Sequence, residues 1–214
     1  MNAYDSNAHR TNKLFVLLPL MIAIFLLTPP HLYGQQEAVG KILIIYHSLT
    51  GNTKAGCNAL QAALGADAIE VKDLIDRSGS WGFFKTAIGS LLGNHTKIEP
   101  EKVDLAGYHY VILGSPIWTG KLSMAIRTFI DGNRFDGKKV IIYTTTNAFE
   151  KEEYKEKSKD LVRKAGGDVV GYYQILAKEE VGGKKIDRTK EQIVNDTIAL
   201  VPEIKGLMSA APQQ

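Results

Sequence analysis

Cysteine is almost absent from this chain, since Cys57 is the only one among 214 residues. A single cysteine cannot form an intramolecular disulfide, a thiolate zinc site or an iron–sulfur cluster. The cysteine-phosphatase loop C-x-x-x-x-x-R is also missing, because Ala63 occupies the position where the arginine would stand. Cys57 falls early in a predicted helix, and we expect it to fill a small apolar packing position.

Two common nucleotide-binding motifs are missing as well. Neither G-x-x-x-x-G-K-[ST] nor G-x-G-x-x-G occurs in the sequence, so a Walker loop and a dinucleotide fingerprint are both excluded. The formal net charge of +3 at pH 7 is small. The sequence also lacks a dense block of lysines and arginines interleaved with aromatic residues. These features argue against a nucleic-acid-binding surface.

The first residues have the pattern of a targeting segment. Arg10 and Lys13 precede the apolar run Leu14–Leu27, and prolines then break it. A helix of this length spans roughly 21 Å, which is shorter than a hydrocarbon core of about 30 Å. Gly34 is a suitable small residue for cleavage, but Leu32 is bulky where a second small residue is expected. The pattern therefore predicts an export signal, with an uncleaved membrane anchor as the open alternative, and it places the domain outside the cytoplasm.

We divide the chain into residues 1–37, an export signal or anchor with a short linker, residues 38–209, one domain, and residues 210–214, a tail. Within the domain, short apolar runs alternate with helical patterns. The predicted strands are 41–46, 68–71, 110–114, 139–144 and 169–176, and the predicted helices are 53–63, 83–92, 121–131, 152–164 and 189–207. Runs that are apolar at nearly every position indicate strands covered on both faces, hence a doubly wound parallel α/β sheet.

The first strand ends in a hydroxyl-rich loop, Ser48-Leu49-Thr50-Gly51-Asn52-Thr53, and a helix follows. Unpaired amides and the helix dipole make such a place suitable for a phosphate. The hydroxyls add donors, while Gly51 permits close approach and Asn52 tolerates a left-handed turn. The loop is therefore expected to offer neutral donors rather than side-chain cations. The alternative is an ordinary turn in which a serine or threonine caps the helix.

Two further segments follow strands that would end at the same edge of the sheet. In a sheet ordered 2-1-3-4-5, the carboxyl ends of strands one and three open a ligand crevice. Ser115-Pro116-Ile117-Trp118-Thr119-Gly120 follows the third predicted strand and could form the wall for a flat ligand. Thr144-Thr145-Thr146-Asn147-Ala148-Phe149 follows the fourth and could hydrogen-bond the edge of a heterocycle. Trp118 could instead be core, and the threonines could be ordinary strand ends.

These segments together resemble the flavodoxin-like family, which includes FMN-binding flavodoxins and flavodoxin-type NAD(P)H:quinone reductases. The resemblance rests on Ile45–Thr53 and on Gly114–Gly120, and Ile126–Asp131 is similar to the helix that follows in family members. It covers residues 38–207. It implies a three-layer αβα flavodoxin-like sheet of five parallel strands in the order 2-1-3-4-5.

The resemblance also implies noncovalently bound FMN. The phosphate would be held by the first loop, the isoalloxazine would be lined by the second segment, and its pyrimidine edge would be approached by the third. The residues carried over are Ser48, Leu49, Thr50, Gly51, Asn52 and Thr53, then Ser115, Pro116, Ile117, Trp118, Thr119 and Gly120, then Thr145, Thr146 and Asn147. The flavin supplies the redox chemistry in this family, so we nominate no catalytic acid, base or nucleophile and no metal site.

Two classes of function stay open at this point. The first is an FMN-dependent redox protein, either a reductase of the NAD(P)H:quinone type or a pure electron carrier. Its partner would be a redox protein or a small quinone-like acceptor, with membrane contact only through the N-terminal segment. The second is a flavodoxin-fold binding module without redox activity.

The sequence departs from the strongly acidic character of many electron-carrying flavodoxins. Without residues 1–34, it has 24 basic and 22 acidic groups, which makes docking by acidic steering doubtful. The segment Ser78–His95, with Trp81, Phe83 and Phe84, could form a lid or a substrate wall, or pack as core.

Overall fold

The computed structural model describes residues 40–75 and 95–210. Its elements, in chain order, are β1 (Ile42–Tyr46), α1 (Asn52–Leu64), β2 (Asp67–Glu70), β3 (Lys72–Asp73), β4 (Ile98–Glu99), β5 (Tyr110–Trp118), β6 (Lys121–Leu122), α2 (Met124–Gly132), β7 (Lys139–Thr146), α3 (Glu152–Lys164), β8 (Asp168–Leu176), β9 (Lys178–Val181), β10 (Lys184–Asp187) and α4 (Lys190–Ala210).

The central layer is a parallel sheet in the order β2-β1-β5-β7-β8. Counting only these strands, the order is the predicted 2-1-3-4-5, and the predicted α/β class is confirmed. Each strand pair is parallel, with Ile44 opposite Ile112 and Ile112 opposite Ile141 across the three central strands. All five residues of β1 are buried, because both faces of the sheet are covered.

Helices cover the two faces, and successive residues of each strand supply the two cores. Leu43 and Ile45 belong to a cluster with Phe129 of α2 and Val162 of α3. Their neighbours Ile44 and Tyr46 belong to a second cluster, which includes residues of α1 and α4 such as Leu60, Ile193 and Ile204. The result is the three-layer αβα arrangement.

Cys57 lies in the second cluster and is fully buried. Its Sγ would be only 2.4 Å from a Cβ placed on Gly114, so a glycine on β5 provides the space for this thiol. Burial raises the pKa of Cys57, which disfavours the reactive thiolate. The expected packing role of Cys57 is confirmed.

The third strand is longer than predicted, and the helix after it is shorter. β5 continues through Trp118, and Lys121–Leu122 folds back antiparallel to it as β6. The two residues between them, Thr119 and Gly120, both have positive φ, at 50° and 73°, as expected for a tight two-residue hairpin turn. The helix that we predicted from Lys121 therefore begins at Met124, after the N-cap Ser123.

A second hairpin, β9–β10, was not predicted. It turns at Gly182 and Gly183, whose φ values are 58° and 75°, and it immediately precedes α4. The predicted helix 83–92 and most of the segment Ser78–His95 lie outside the described residues, as do residues 1–37.

Within residues 40–75 and 95–210, no helix combines the length and apolar character needed to cross a membrane. The apolar run Leu14–Leu27 lies outside this part of the chain.

Candidate cofactor site at the carboxyl edge of the sheet

The loop after β1 is held in place by its first residue. The His47 amide donates to the Gly114 carbonyl at 3.0 Å, and its Nδ1 lies 2.9 Å from the Val71 carbonyl. These bonds fix the direction in which the chain leaves the sheet, toward the start of α1.

The N-terminus of α1 is open. The N-cap is Gly51, in the left-handed conformation at φ 84°, and no side chain of the described residues forms a cap hydrogen bond there. The first helical amides are therefore free of a side-chain acceptor and carry the positive end of the helix dipole. The alternative of a turn capped by a serine or threonine is wrong for this loop.

Ser48 adds an unused polar atom to the same loop. Its Oγ is buried and has no hydrogen-bond partner among the described residues. An unsatisfied buried hydroxyl is unfavourable by roughly 1–3 kcal/mol, so a ligand that bonds to it would remove this cost. Leu49 and Thr50 next to it are exposed.

Thr53 connects the first loop to the third. It is 1% exposed, and its Oγ1 lies 2.7 Å from Oγ1 of Thr145, at the end of β7. Part of its hydrogen-bonding capacity is therefore used within the protein. The sequence predicted both residues as ligand contacts but gave no sign of this bond.

A cation reaches the first loop from a distant part of the chain. Nζ of Lys190, the first residue of α4, donates to the Thr50 carbonyl at 2.8 Å and also to Oδ1 of Asn52. The loop's own residues carry neutral donors, and the cation at this place comes from outside the loop. The expectation of neutral donors considered only the loop's own residues, whereas Lys190 follows Asn52 by 138 positions.

The second predicted segment begins with a buried residue that supports the hairpin and ends with partly buried residues at the edge of the sheet. Ser115 is fully buried, and its Oγ accepts from the Ser123 amide at 2.9 Å and donates to the Pro116 carbonyl at 2.9 Å. It thus holds the corner between the hairpin and α2. Ile117 and Trp118, further along the strand, are only partly buried.

Trp118 contacts the first loop. Its ring is edge-on to that of His47, with the ring centroids 6.1 Å apart. Because Trp118 is only partly buried and stands at the end of β5, the alternative in which it is a plain core residue is wrong. The turn beyond it packs on α3, since the Tyr154 ring would be 3.0 Å from a Cβ on Gly120.

The third segment and the hairpin enclose a pocket of about 380 Å³. Ile117, Thr119 and Gly120 line it from the hairpin, and residues 146–151 line it from the loop after β7. Thr146 Oγ1 donates to the Ala148 carbonyl at 2.7 Å and so shapes this loop. The Asn147 side chain is exposed, and Phe149 is 69% exposed at the rim.

Glu150 also lines this pocket, and the sequence did not single it out. Its Oε2 accepts from the Tyr172 hydroxyl at 2.7 Å and from Nε2 of Gln174 at 2.6 Å. Its Oε1 is buried without a partner among the described residues. Burial raises the pKa of the Glu150 carboxyl, and the two donors oppose this effect. An isolated acid after a strand has no pattern by which sequence reasoning could have found it.

The structure therefore joins the three predicted segments at one edge. Thr53 meets Thr145, Trp118 meets His47, and the hairpin and the third loop share a pocket. In the part of the chain that the structure describes, no group of three or more His, Cys, Asp or Glu side chains could hold a metal ion.

Comparison with known proteins agrees with this architecture. The model of the flavodoxin family matches residues 41–170, and the chain belongs to this family. No curated protein matches the sequence significantly.

Solved structures share the fold at low sequence identity. A flavoprotein of Lactobacillus acidophilus crystallised with FMN is 21% identical, with a TM-score of 0.56, over 63% of this chain and 93% of its own. A flavoprotein of Bacteroides uniformis is 20% identical, with a TM-score of 0.58, over 73% of this chain and 96% of its own. These similarities concern the fold.

Proposed function

We propose that this protein binds FMN noncovalently and carries electrons through it. The observation that carries the proposal is the open N-terminus of α1, with the left-handed Gly51 and a Ser48 Oγ that has no partner among the described residues. It lies at the same edge of the sheet as the pocket between the hairpin and the loop after β7. Membership of the flavodoxin family and the FMN complex of the L. acidophilus flavoprotein support it.

The two parts of the site match the two parts of FMN. The amides and hydroxyls of residues 48–53 would hold the phosphate, as helix N-termini do for anions in general. A pocket of about 380 Å³ is within the usual range for small-molecule sites, about 300–1,000 Å³. Trp118 and the hairpin would line the isoalloxazine ring, with Thr145, Thr146 and Asn147 near its pyrimidine edge.

When bound, FMN supplies the redox chemistry. The protein's residues would orient the ring, exclude water from its buried face and set the local charge. Oε1 of Glu150 is an acceptor without a partner in the described part of the chain, so it is suited to an N–H donor from a ligand in the pocket.

FMN binding can be tested with two glycines of one helix. Gly51 and Gly65 cap the two ends of α1, and both are left-handed, at φ 84° and 63°. Valine at either position introduces comparable backbone strain, on the order of 1–2 kcal/mol or more. Only Gly51 adjoins the proposed phosphate site, so we expect Gly51→Val to weaken FMN binding at least tenfold and Gly65→Val to leave it unchanged.

The measurement is quenching of free FMN fluorescence, with a visible absorption spectrum after desalting. Thermal unfolding of both variants reports their folding separately. A wild-type protein that stays colourless and does not quench FMN would refute the proposed function. Equal affinity of both variants would show that the phosphate lies elsewhere.

The electron partner forms a second part of the proposal. A redox protein or a small quinone-like molecule would accept or supply the electrons. Steady-state NAD(P)H oxidation by the FMN-loaded protein, with and without a quinone, distinguishes the two cases. Turnover above that of free FMN supports a reductase, whereas background turnover supports a carrier that needs a protein partner.

The cellular location is a proposal from the sequence alone. Residues 14–27 would direct the domain out of the cytoplasm, either as a cleaved signal or as an anchor. The mass of the native protein and its distribution between soluble and membrane fractions distinguish cleavage from anchoring.

A further inference from the structure

Lys190 occupies an unusual position for a lysine. It is the first residue of α4, where the helix dipole favours negative rather than positive charge. Thr189 and Gln192 fix this helix start reciprocally, because the Thr189 amide donates to Oε1 of Gln192 at 2.8 Å and the Gln192 amide donates to Thr189 Oγ1 at 3.1 Å. The Lys190 backbone is therefore anchored beside the first loop.

Among residues 40–75 and 95–210, the ammonium group of Lys190 has only neutral acceptors. Its Nζ donates to the Thr50 carbonyl and to Oδ1 of Asn52, and no carboxylate of residues 40–75 and 95–210 forms an ion pair with it. Nζ would be 3.4 Å from a Cβ on Gly51, which places the charge next to the open end of α1. Burial lowers the pKa of Lys190, as expected for a cation that lacks a negative partner.

The chemistry of this place defines the kind of ligand that would pair with the Lys190 ammonium group. An anion at the N-terminus of α1 would meet the free helical amides and the ammonium group together. A phosphate monoester carries a charge of about −1.5 to −2 at pH 7 and has enough oxygen atoms to bond with both. A neutral hydroxyl group at the same place would gain little from Lys190.

We propose that Lys190 recognises the phosphate of the flavin and lets the site distinguish FMN from unphosphorylated riboflavin. This inference rests on the proposed function, because it assigns a role within the same site. It also gives the binding a salt dependence that a loop of neutral donors would largely lack.

The test compares Lys190→Met with Lys205→Met. Lys205 lies in the same helix and is exposed, so its replacement controls for the loss of one positive charge. Loss of a charge-assisted hydrogen bond predicts that Lys190→Met weakens FMN binding about 10- to 100-fold. We expect riboflavin affinity to be unchanged in both variants, and Lys190→Arg to retain most of the preference for FMN.

Fluorescence titration with FMN and riboflavin at low and high NaCl gives all of these quantities. Selective loss of FMN affinity with a flatter salt dependence supports the proposal. Unchanged FMN affinity, or equal loss for FMN and riboflavin, overturns it while leaving FMN binding by the wild type intact. If the wild-type protein binds neither flavin, the proposed function fails together with this inference.

A second measurement covers the case in which Lys190→Met does not fold. In the wild-type protein, the preference for FMN over riboflavin should decrease as the NaCl concentration rises. A ratio that is independent of salt overturns the proposal.

Discussion

Gly56 sets how closely the helix that begins at the proposed phosphate site can approach the sheet. A Cβ at this position would lie 1.8 Å from Oη and 2.6 Å from Cζ of Tyr143 on β7. Tyr143 is fully buried, and its hydroxyl lies 2.7 Å from Oγ1 of Thr197 on α4. The ring therefore has no free space into which it can retreat, and Gly56→Ala must displace α1 or Tyr143.

The net effect follows from two opposing terms. Overpacking a core typically destabilises a protein by about 1–3 kcal/mol. Because this overlap is deep, we take a cost at the upper end of the range, about 3 kcal/mol. Alanine favours a helix over glycine by about 1 kcal/mol. We therefore expect Gly56→Ala to lower the free energy of unfolding by about 2 kcal/mol, or the melting temperature by about 4–8 °C for a domain of this size.

Gly206→Ala is the matched control. Gly206 lies in α4, and outside its own stretch of helix no atom of the described residues is within 4 Å of the position of its Cβ, so the helix preference acts there without overlap. This variant should be neutral or up to about 1 kcal/mol more stable. Urea unfolding followed by circular dichroism measures both. If the two variants have the same stability, α1 does not lie as close to β7 as described, and the position of the phosphate loop must be revised.

Two other predictions concern the pocket. Because burial raises the pKa of Glu150 above its ordinary value of 4.5, the folded state keeps this proton longer than the unfolded chain, and stability is lost as pH rises from 4.5 through the folded pKa. Glu150→Gln should therefore gain stability relative to wild type across that window in urea unfolding from pH 4 to 8, and a constant difference would contradict this reasoning. Trp118→Ala should weaken FMN binding more than Trp81→Ala, because Trp118 contacts His47 and is the chain neighbour of Ile117 and Thr119, which line the pocket. The opposite ranking in fluorescence titrations would move the flavin wall to the segment 78–95.

The sheet was predictable because burial on both faces leaves a direct record in the sequence. Each residue of Ile42–Tyr46 packs against one helix layer or the other, so apolar residues occur at every position. The hydroxyl-rich loop was predictable for a related reason. It stands between a strand and a helix, and its residue types suit that place whatever else the protein contains.

The two hairpins show where local patterns were insufficient. Thr119-Gly120 was included in a loop, although the chain continues the strand on both sides of it. Gly182-Gly183 does carry a hairpin signal, because both central residues of the favoured turn need positive φ. The flanking β9 and β10 contain several charged residues, and this polar composition hid them from a search for apolar runs.

Lys190 and Glu150 could not be predicted because their importance depends on the fold. Lys190 is one of 26 basic residues, and only the winding of the sheet brings it to Thr50. Glu150 becomes notable through Tyr172 and Gln174, which reach it from the neighbouring strand β8. Contacts of this kind depend on strand order and register. The residues next to Lys190 or Glu150 in the sequence do not reveal either of these.

The proposed site is held together by contacts that need no ligand. Thr53 bonds to Thr145 across the first and third loops, and the His47 ring contacts Trp118 of the second segment. Binding to loops that are already linked requires little additional ordering, so more of the interaction energy appears as affinity. For the same reason, the linking residues and the residues that contact the ligand have separable effects. Loss of a link disturbs two loops and lowers affinity for every flavin, whereas loss of a phosphate contact changes only the preference for the phosphorylated one.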